Sequence, residues 1–182
     1  MNAREIRAPK HGWIPKKERI WVIVAIVIAA TFMLWELKGL LQLSSATLHS
    51  RQFEHTFKDF GSNARIGLFF VLAYYVLLRV IRLRTLNSLG NVKKWLATLL
   101  RFARRWHTPI AIIAIAFIIL HAVAVFMHGF KFDFNNLSGL LALLVLLPVP
   151  FSGLFRYQRL DRKWHLRSGV AFAVLFLIHS FL

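Results

Sequence analysis

The chain of 182 residues is 58% hydrophobic and 17% charged, whereas soluble domains are about 45–50% apolar and about 25% charged. This composition excludes a disordered chain, and the absence of cysteine excludes disulfides, iron–sulfur clusters and thiolate metal sites. A formal net charge of +17 would suit a nucleic-acid surface or a membrane surface, and the positions of the charges decide between them.

Five apolar stretches meet or approach the roughly 20 residues that a helix needs to cross a bilayer. They are residues 20–43, 66–83, 106–127, 137–155 and 164–182. Pro148 and Pro150 predict a kink or an unwound turn near the end of the fourth stretch. We therefore predict an all-α integral membrane fold, a bundle of five transmembrane helices over residues 20–182. Residues 1–19 form a basic N-terminal segment, and nothing there is typical of a cleaved signal peptide.

The segments between the predicted spans differ in character. Residues 44–65 are polar and are predicted to form a loop, in which His49 and His55 are either solvated or border an acceptor or quinone site. Residues 88–105 are basic and amphipathic, which predicts either a helix on the inner membrane face or an extension of the third span. Such a helix would suit a docking flavoprotein and lipid head groups equally well.

Basic residues concentrate in alternate segments of the chain. Residues 1–19 hold six Lys and Arg, residues 79–105 hold eight, and residues 156–167 hold five, whereas the rest of the chain holds five. The positive-inside rule then predicts a cytoplasmic N-terminus and an outer C-terminus. The charge is thus a topology signal and a contact to anionic lipid, not a nucleic-acid patch, and we expect a multi-pass protein of a bacterial cytoplasmic membrane.

Four histidines occupy matched positions in the third and fifth spans. The motif RRWHTPIAIIAIAFIILH ends at His121, and RKWHLRSGVAFAVLFLIH ends at His179, with His107 and His165 placed 14 residues earlier. Fourteen residues bring both histidines of a pair to nearly one helix face, about 21 Å apart along the axis. Since the third and fifth spans run parallel, we expect two stacked pairs of facing imidazoles.

Imidazole pairs inside a membrane are typical axial ligands of haem iron. Basic side chains near the cytoplasmic ends of both helices are candidate partners for haem propionates. These are Arg104, Arg105, Arg162, Lys163 and Arg167. A zinc site is disfavoured because ligands at two depths cannot converge on one ion, and a proton relay is disfavoured because the spans lack a central carboxylate.

The paired W-H-x13-H helices resemble the haem-binding core of the ferric reductase-like transmembrane superfamily. That group includes ferric reductases, NADPH oxidases and the haem subunit of methionine-sulfoxide reductase systems. The resemblance covers residues 66–182 well and the first span loosely, and it implies two b-type haems. It implies that His107 and His165 hold the inner haem iron, and that His121 and His179 hold the outer one.

The chain departs from that family in two ways. The family's core usually has a sixth helix, which we do not see, and whether a partner subunit supplies it stays open. We also see no Gly-rich fingerprint of a fused flavin and nicotinamide dehydrogenase. We therefore expect an electron-transfer component of an oxidoreductase with a separate donor, either a flavoprotein or quinol. The acceptor at the outer face would be ferric iron, a quinone, oxygen or a redox partner. The alternative is a haem-bearing anchor subunit of a larger respiratory complex, and a haem-free scaffold or transporter is a second rival.

Further residues have two interpretations each. Phe172, midway between His165 and His179, is either a bridge between the haems or core packing. His128, seven residues after His121 on a similar face, is an alternative outer ligand. Trp106 and Trp164 are expected as interfacial anchors.

Overall fold

The computed structural model describes residues 16–83, 90–155 and 162–182, and every regular element in these ranges is a helix. The seven helices are α1 (Lys16–Leu41), α2 (Ser45–Leu48), α3 (Arg51–Val80), α4 (Gly90–Gly129), α5 (Phe134–Leu146), α6 (Pro148–Phe155) and α7 (Arg162–Phe181). Most of the predicted basic segment 1–19 lies outside the described residues, as do parts of the other two basic segments, residues 84–89 and 156–161.

Five helical segments are long and apolar enough to cross a membrane, which confirms the predicted all-α integral membrane fold. These are Glu18–Leu41, Arg51–Val80, Gly90–Gly129, Phe134–Gly153 and Lys163–Phe181. Large apolar side chains on their outer faces are exposed, among them Ile28 at 55% and Trp35 at 77%. Exposed apolar surface of this extent is typical of helices whose solvent is lipid. The chain is therefore an integral multi-pass membrane protein.

The second spanning helix starts much earlier than the sequence predicted. α3 begins at Arg51, where the Ser50 hydroxyl caps the helix by accepting a hydrogen bond from the Phe53 amide at 3.2 Å. The prediction of a loop was therefore wrong after Ser50. Phe53, Phe60 and Ala64 are buried on one face of this polar stretch, so tertiary packing stabilises a helix that hydropathy alone misses.

α4 decides between the two interpretations of the basic segment at residues 88–105, a helix on the membrane face or an extension of the third span. It is one helix of 40 residues that continues through the buried Pro109, so the described part of the segment extends the span. At 1.5 Å per residue it is about 60 Å long, roughly twice the hydrocarbon thickness. It ends at Gly129, whose φ of 115° lies in the left-handed region that glycine adopts without strain.

The fourth span is interrupted where its prolines predict. α5 ends at Leu146 and α6 begins at Pro148. A residue before proline is driven away from the helical region, and proline fits the first helical position because its missing N–H has no partner there. The interruption lets one apolar stretch form two helices.

The chain divides into two compact units. We call Glu18–Asn136 the N-terminal unit and Leu137–Leu182 the C-terminal unit. In the N-terminal unit, α1, α3 and α4 pack around Leu40, Phe53, Phe60, Leu120 and Ala124. In the C-terminal unit, α7 packs antiparallel to α5 and α6, as the pairings of Gly139 with His179 and of Gly153 with His165 show.

α3 and α4 approach closely at Gly67, where an added Cβ would lie 2.9 Å from the Ala114 Cβ. We expect Gly67→Ala to lower the free energy of unfolding by about 1–3 kcal/mol, because the two helices must separate to admit the methyl group. Thermal unfolding in detergent, followed by circular dichroism, measures this. The control is Gly39→Ala on α1, where an added Cβ meets nothing within 4 Å. Equal stability of the two variants would contradict the close α3–α4 packing.

Candidate functional site

The two histidines of α4 face α3. The His121 Nδ1 lies 2.7 Å from the Phe57 carbonyl oxygen, and the His107 ring centre lies 5.2 Å from that of Tyr74. Both imidazoles are half-buried within the N-terminal unit. Both imidazoles therefore contact a neighbouring helix and not lipid alone.

The two histidines of α7 face α5 and α6. The His165 Nδ1 lies 3.1 Å from the Val149 carbonyl oxygen and 3.3 Å from the Ser152 hydroxyl. The His179 Nδ1 lies 3.4 Å from the Ser138 hydroxyl. Each imidazole of the C-terminal unit thus has a serine of the neighbouring helix beside Nδ1.

These hydrogen bonds determine which ring nitrogen carries the proton. A carbonyl oxygen only accepts, so the Nδ1 atoms of His121 and His165 donate. Ser152 donates its own hydroxyl proton to the Val149 carbonyl at 2.9 Å, which leaves its oxygen as an acceptor for His165. In the neutral imidazole, Nε2 then bears a lone pair, and a pinned Nδ1–H with a basic Nε2 is the arrangement that metal-ligating histidines use.

Glycines lie directly against three of the four imidazoles. An added Cβ would lie 2.7 Å from the His179 Cε1 at Gly139, 3.1 Å from the His121 Cε1 at Gly61, and 3.4 Å from the His165 Cε1 at Gly153. The first two distances are too short for a side chain without movement of the ring. The absence of a side chain at Gly139 and Gly61 is therefore what allows each ring its present position.

Serine and glycine form a repeat that the sequence analysis missed. Ser138-Gly139 and Ser152-Gly153 are 14 residues apart, the same separation as His165 and His179. Because the helices are antiparallel, the first dipeptide meets His179 and the second meets His165. The matched spacing was a readable signal, and it was overlooked because the glycines were considered singly.

The N-terminal unit has only half of this arrangement. Gly61 lies against His121, whose Nδ1 donates its hydrogen bond to a backbone carbonyl in place of a serine hydroxyl. Against His107 the neighbouring helix places the ring of Tyr74. The four sites are therefore similar but not identical in their surroundings.

The other predicted site residues have varied environments. Phe172 is buried and stacks on Phe176 with ring centres 6.1 Å apart, which agrees with core packing and leaves the bridge untested. The Arg105 guanidinium lies 5.8 Å from the ring centre of Trp21, which also contacts Trp106. Arg104, Lys163, Trp164 and Arg167 are exposed, and the side chain of Arg162 lies outside the described residues.

His128 has well-defined partners of its own. Its Nδ1 lies 2.7 Å from the Leu48 carbonyl oxygen, and its ring centre lies 6.1 Å from that of His49. His49 is exposed and follows the last residue of α2 beside His128, while His55 is exposed on α3. His128 thus has a pinned Nδ1 like His121, and the choice between them as outer ligand stays open.

The histidine side chains are the candidate donors for a metal or a cofactor. In the part of the chain that the structure describes, no group of three or more His, Asp or Glu side chains is placed to hold a metal ion. Haem iron binds an imidazole nitrogen that bears a lone pair, and the carbonyl oxygens beside the Nδ1 atoms of His121 and His165 favour a lone pair on Nε2. The chain matches no known family model, no curated protein and no solved structure.

We expect nitrogen-15 NMR of histidine-labelled protein, prepared without haem, to show the Nδ1–H tautomer at His121 and His165. The physical reason is the carbonyl acceptor beside each Nδ1. His121→Gln and His165→Gln assign the two signals, and the exposed His55 provides the solvated reference. An Nε2–H tautomer at either position would refute the hydrogen bonding described here.

Proposed function

We propose that the chain is a di-haem b-type membrane cytochrome that passes single electrons across the bilayer. In this proposal, His107 and His165 bind one haem iron, and His121 and His179 bind the other. The observation that supports it most strongly is the Ser-Gly repeat, which gives His165 and His179 the same neighbours 14 residues apart. The two histidines of α7 and the two Ser-Gly dipeptides repeat with the same spacing of 14 residues. This match indicates that both histidines need the same neighbours.

The energetics of the spans support the same conclusion. Four ionisable side chains in apolar helices are costly unless they serve a site. A neutral imidazole reduces that cost, and at His121 and His165 the backbone carbonyl beside Nδ1 satisfies the donor of the neutral ring. In this tautomer the lone pair is on Nε2, and a ring nitrogen with a lone pair is what binds haem iron.

Bound haem iron would supply reversible one-electron oxidation and reduction. The chain's own residues would fill both axial positions, which disfavours direct binding of oxygen to iron. Ser138 and Ser152 would orient the imidazoles of α7, and Phe57 would do so through its carbonyl for His121. Arg105 and Arg167 remain candidate partners for propionates.

We propose that electrons pass from the inner face to the outer face. With the N-terminus in the cytoplasm, His107 and His165 lie towards the inner face of a bacterial cytoplasmic membrane. A separate flavoprotein or quinol would donate electrons there, and ferric iron, a quinone or a redox partner would accept them outside. A resemblance to the ferric reductase-like superfamily implies these donor and acceptor roles.

We expect the purified chain to contain two b haems, counted by pyridine haemochrome and by reduced-minus-oxidised spectra. His107→Ala and His179→Ala should each remove about half of the absorbance, because each breaks one iron site. His55→Ala is the matched control and should keep both haems, since His55 is exposed outside the quartet. A colourless protein from haem-replete cells, or haem indifferent to both substitutions, would exclude the proposal.

His128→Ala separates the two candidates for the outer ligand. If His121 binds the iron, His121→Ala removes the outer haem and His128→Ala retains it. The opposite result would transfer the role to His128 and leave the di-haem proposal intact.

We expect Gly139→Ala to disturb the outer haem more than Gly153→Ala disturbs the inner one. The added methyl group would lie 2.7 Å from the His179 ring but 3.4 Å from the His165 ring, so only the first must move its imidazole. Redox titration and electron paramagnetic resonance of the oxidised protein report ligand orientation separately from haem content. Gly39→Ala serves as the control. Unchanged spectra and potentials in Gly139→Ala would show that this glycine does not position His179.

A further inference from the structure

A second pair of histidines lies outside the quartet, at the end of the N-terminal unit where α2 meets α4. His49 follows the last residue of α2, and His128 is the penultimate residue of α4. Their ring centres are 6.1 Å apart and their planes are inclined by 31°. The pair is formed by residues 79 positions apart in the chain, so only the tertiary structure reveals it.

Both rings of this pair have the same protonation pattern. The His49 Nδ1 lies 2.8 Å from the Ser45 carbonyl oxygen, and the His128 Nδ1 lies 2.7 Å from the Leu48 carbonyl oxygen. A carbonyl accepts only, so both Nδ1 atoms carry protons. In their neutral forms both histidines therefore present an unprotonated Nε2, and neither Nε2 can donate a hydrogen bond to the other.

The separation of the rings suits one shared ion. Two imidazoles that bind one ion through nitrogen at about 2.0–2.1 Å have ring centres roughly 5–6.5 Å apart, depending on the angle at the metal. The observed separation falls in this range. Late first-row transition metals are the ions that imidazole binds best, and Cu²⁺ is the strongest among the divalent ones.

The His128 ring packs against other side chains, whereas the His49 ring is exposed. The rings of Phe53 and Phe57 pack beside His128, with centres 6.2 and 5.2 Å from it. His49 is exposed, so an ion would reach the pair from solvent and would keep water ligands. The Glu54 carboxylate, paired with Lys58 at 2.5 Å, also interacts electrostatically with His128.

We propose that His49 and His128 form a surface site for one late first-row transition-metal ion, with water completing its coordination. The site is separate from the haem-ligand quartet and does not depend on electron transfer. It gives His49 and His128 a role in metal binding that differs from quinone or haem binding.

The test is a Cu²⁺ titration of untagged, chelator-treated and haem-replete protein in detergent, because bound haem keeps the quartet from binding added metal. Isothermal calorimetry gives the stoichiometry, and electron paramagnetic resonance detects nitrogen ligation of Cu²⁺. We expect each chain to bind one equivalent of Cu²⁺ tightly, and we expect added Zn²⁺ to displace part of it. His49→Ala and His128→Ala should each weaken this equivalent by more than the roughly 10–100-fold that loss of an outer-shell partner costs.

His55→Ala is the matched control, since it also removes one exposed histidine next to Glu54, and it should leave the tight equivalent unchanged. The proposal is overturned if no equivalent binds, or if His55→Ala weakens binding as much as the other two. It is also overturned if His128→Ala removes haem instead of Cu²⁺. Haem spectra of the same samples separate these outcomes from failure of the di-haem proposal, because His49→Ala and His128→Ala test the Cu²⁺ site whether or not haem is bound.

Discussion

The hydrogen bond from a histidine Nδ1 to the neighbouring helix is the interaction on which the proposed chemistry depends. It appears at His121 and His165 with carbonyl acceptors, and at His179 with the hydroxyl of Ser138. Where the acceptor is a carbonyl, the bond stabilises the neutral tautomer and directs basicity to Nε2. A spanning helix that carries imidazoles thereby satisfies the Nδ1 donors of His121 and His165.

That hydrogen bond requires helices to approach more closely than ordinary side chains permit. Glycines at 61, 139 and 153 provide the space beside the rings, and Gly67 provides it between the backbones of α3 and α4. Packing of this kind is a main source of helix association in a membrane, where burial of apolar surface against lipid gives little gain. The same small residues therefore serve stability and the placement of the imidazoles.

Each unit presents its histidines from one long helix supported by an antiparallel neighbour. α4 is supported by α3, and α7 by α5 and α6. The break at Pro148 divides the support of α7 between two helices, so that each Ser-Gly dipeptide lies on a helix of its own. The N-terminal unit uses one continuous helix instead, with Tyr74 in place of a second glycine. The two units therefore support their histidines with different helices, and this accounts for the different surroundings of the four histidines.

The amino-acid sequence by itself determined the all-α membrane fold, the five spans, the interruption at the prolines and the 14-residue spacing of the histidines. These are local properties, since hydropathy and helical period are read within one segment. It also contained the matching Ser-Gly spacing, which becomes meaningful once α7 is known to run antiparallel to α5 and α6. Only the tertiary structure decided that residues after Ser50 are helical, that Tyr74 faces His107, and that His49 meets His128. Such pairings depend on the register between helices distant in the chain, which no local pattern specifies.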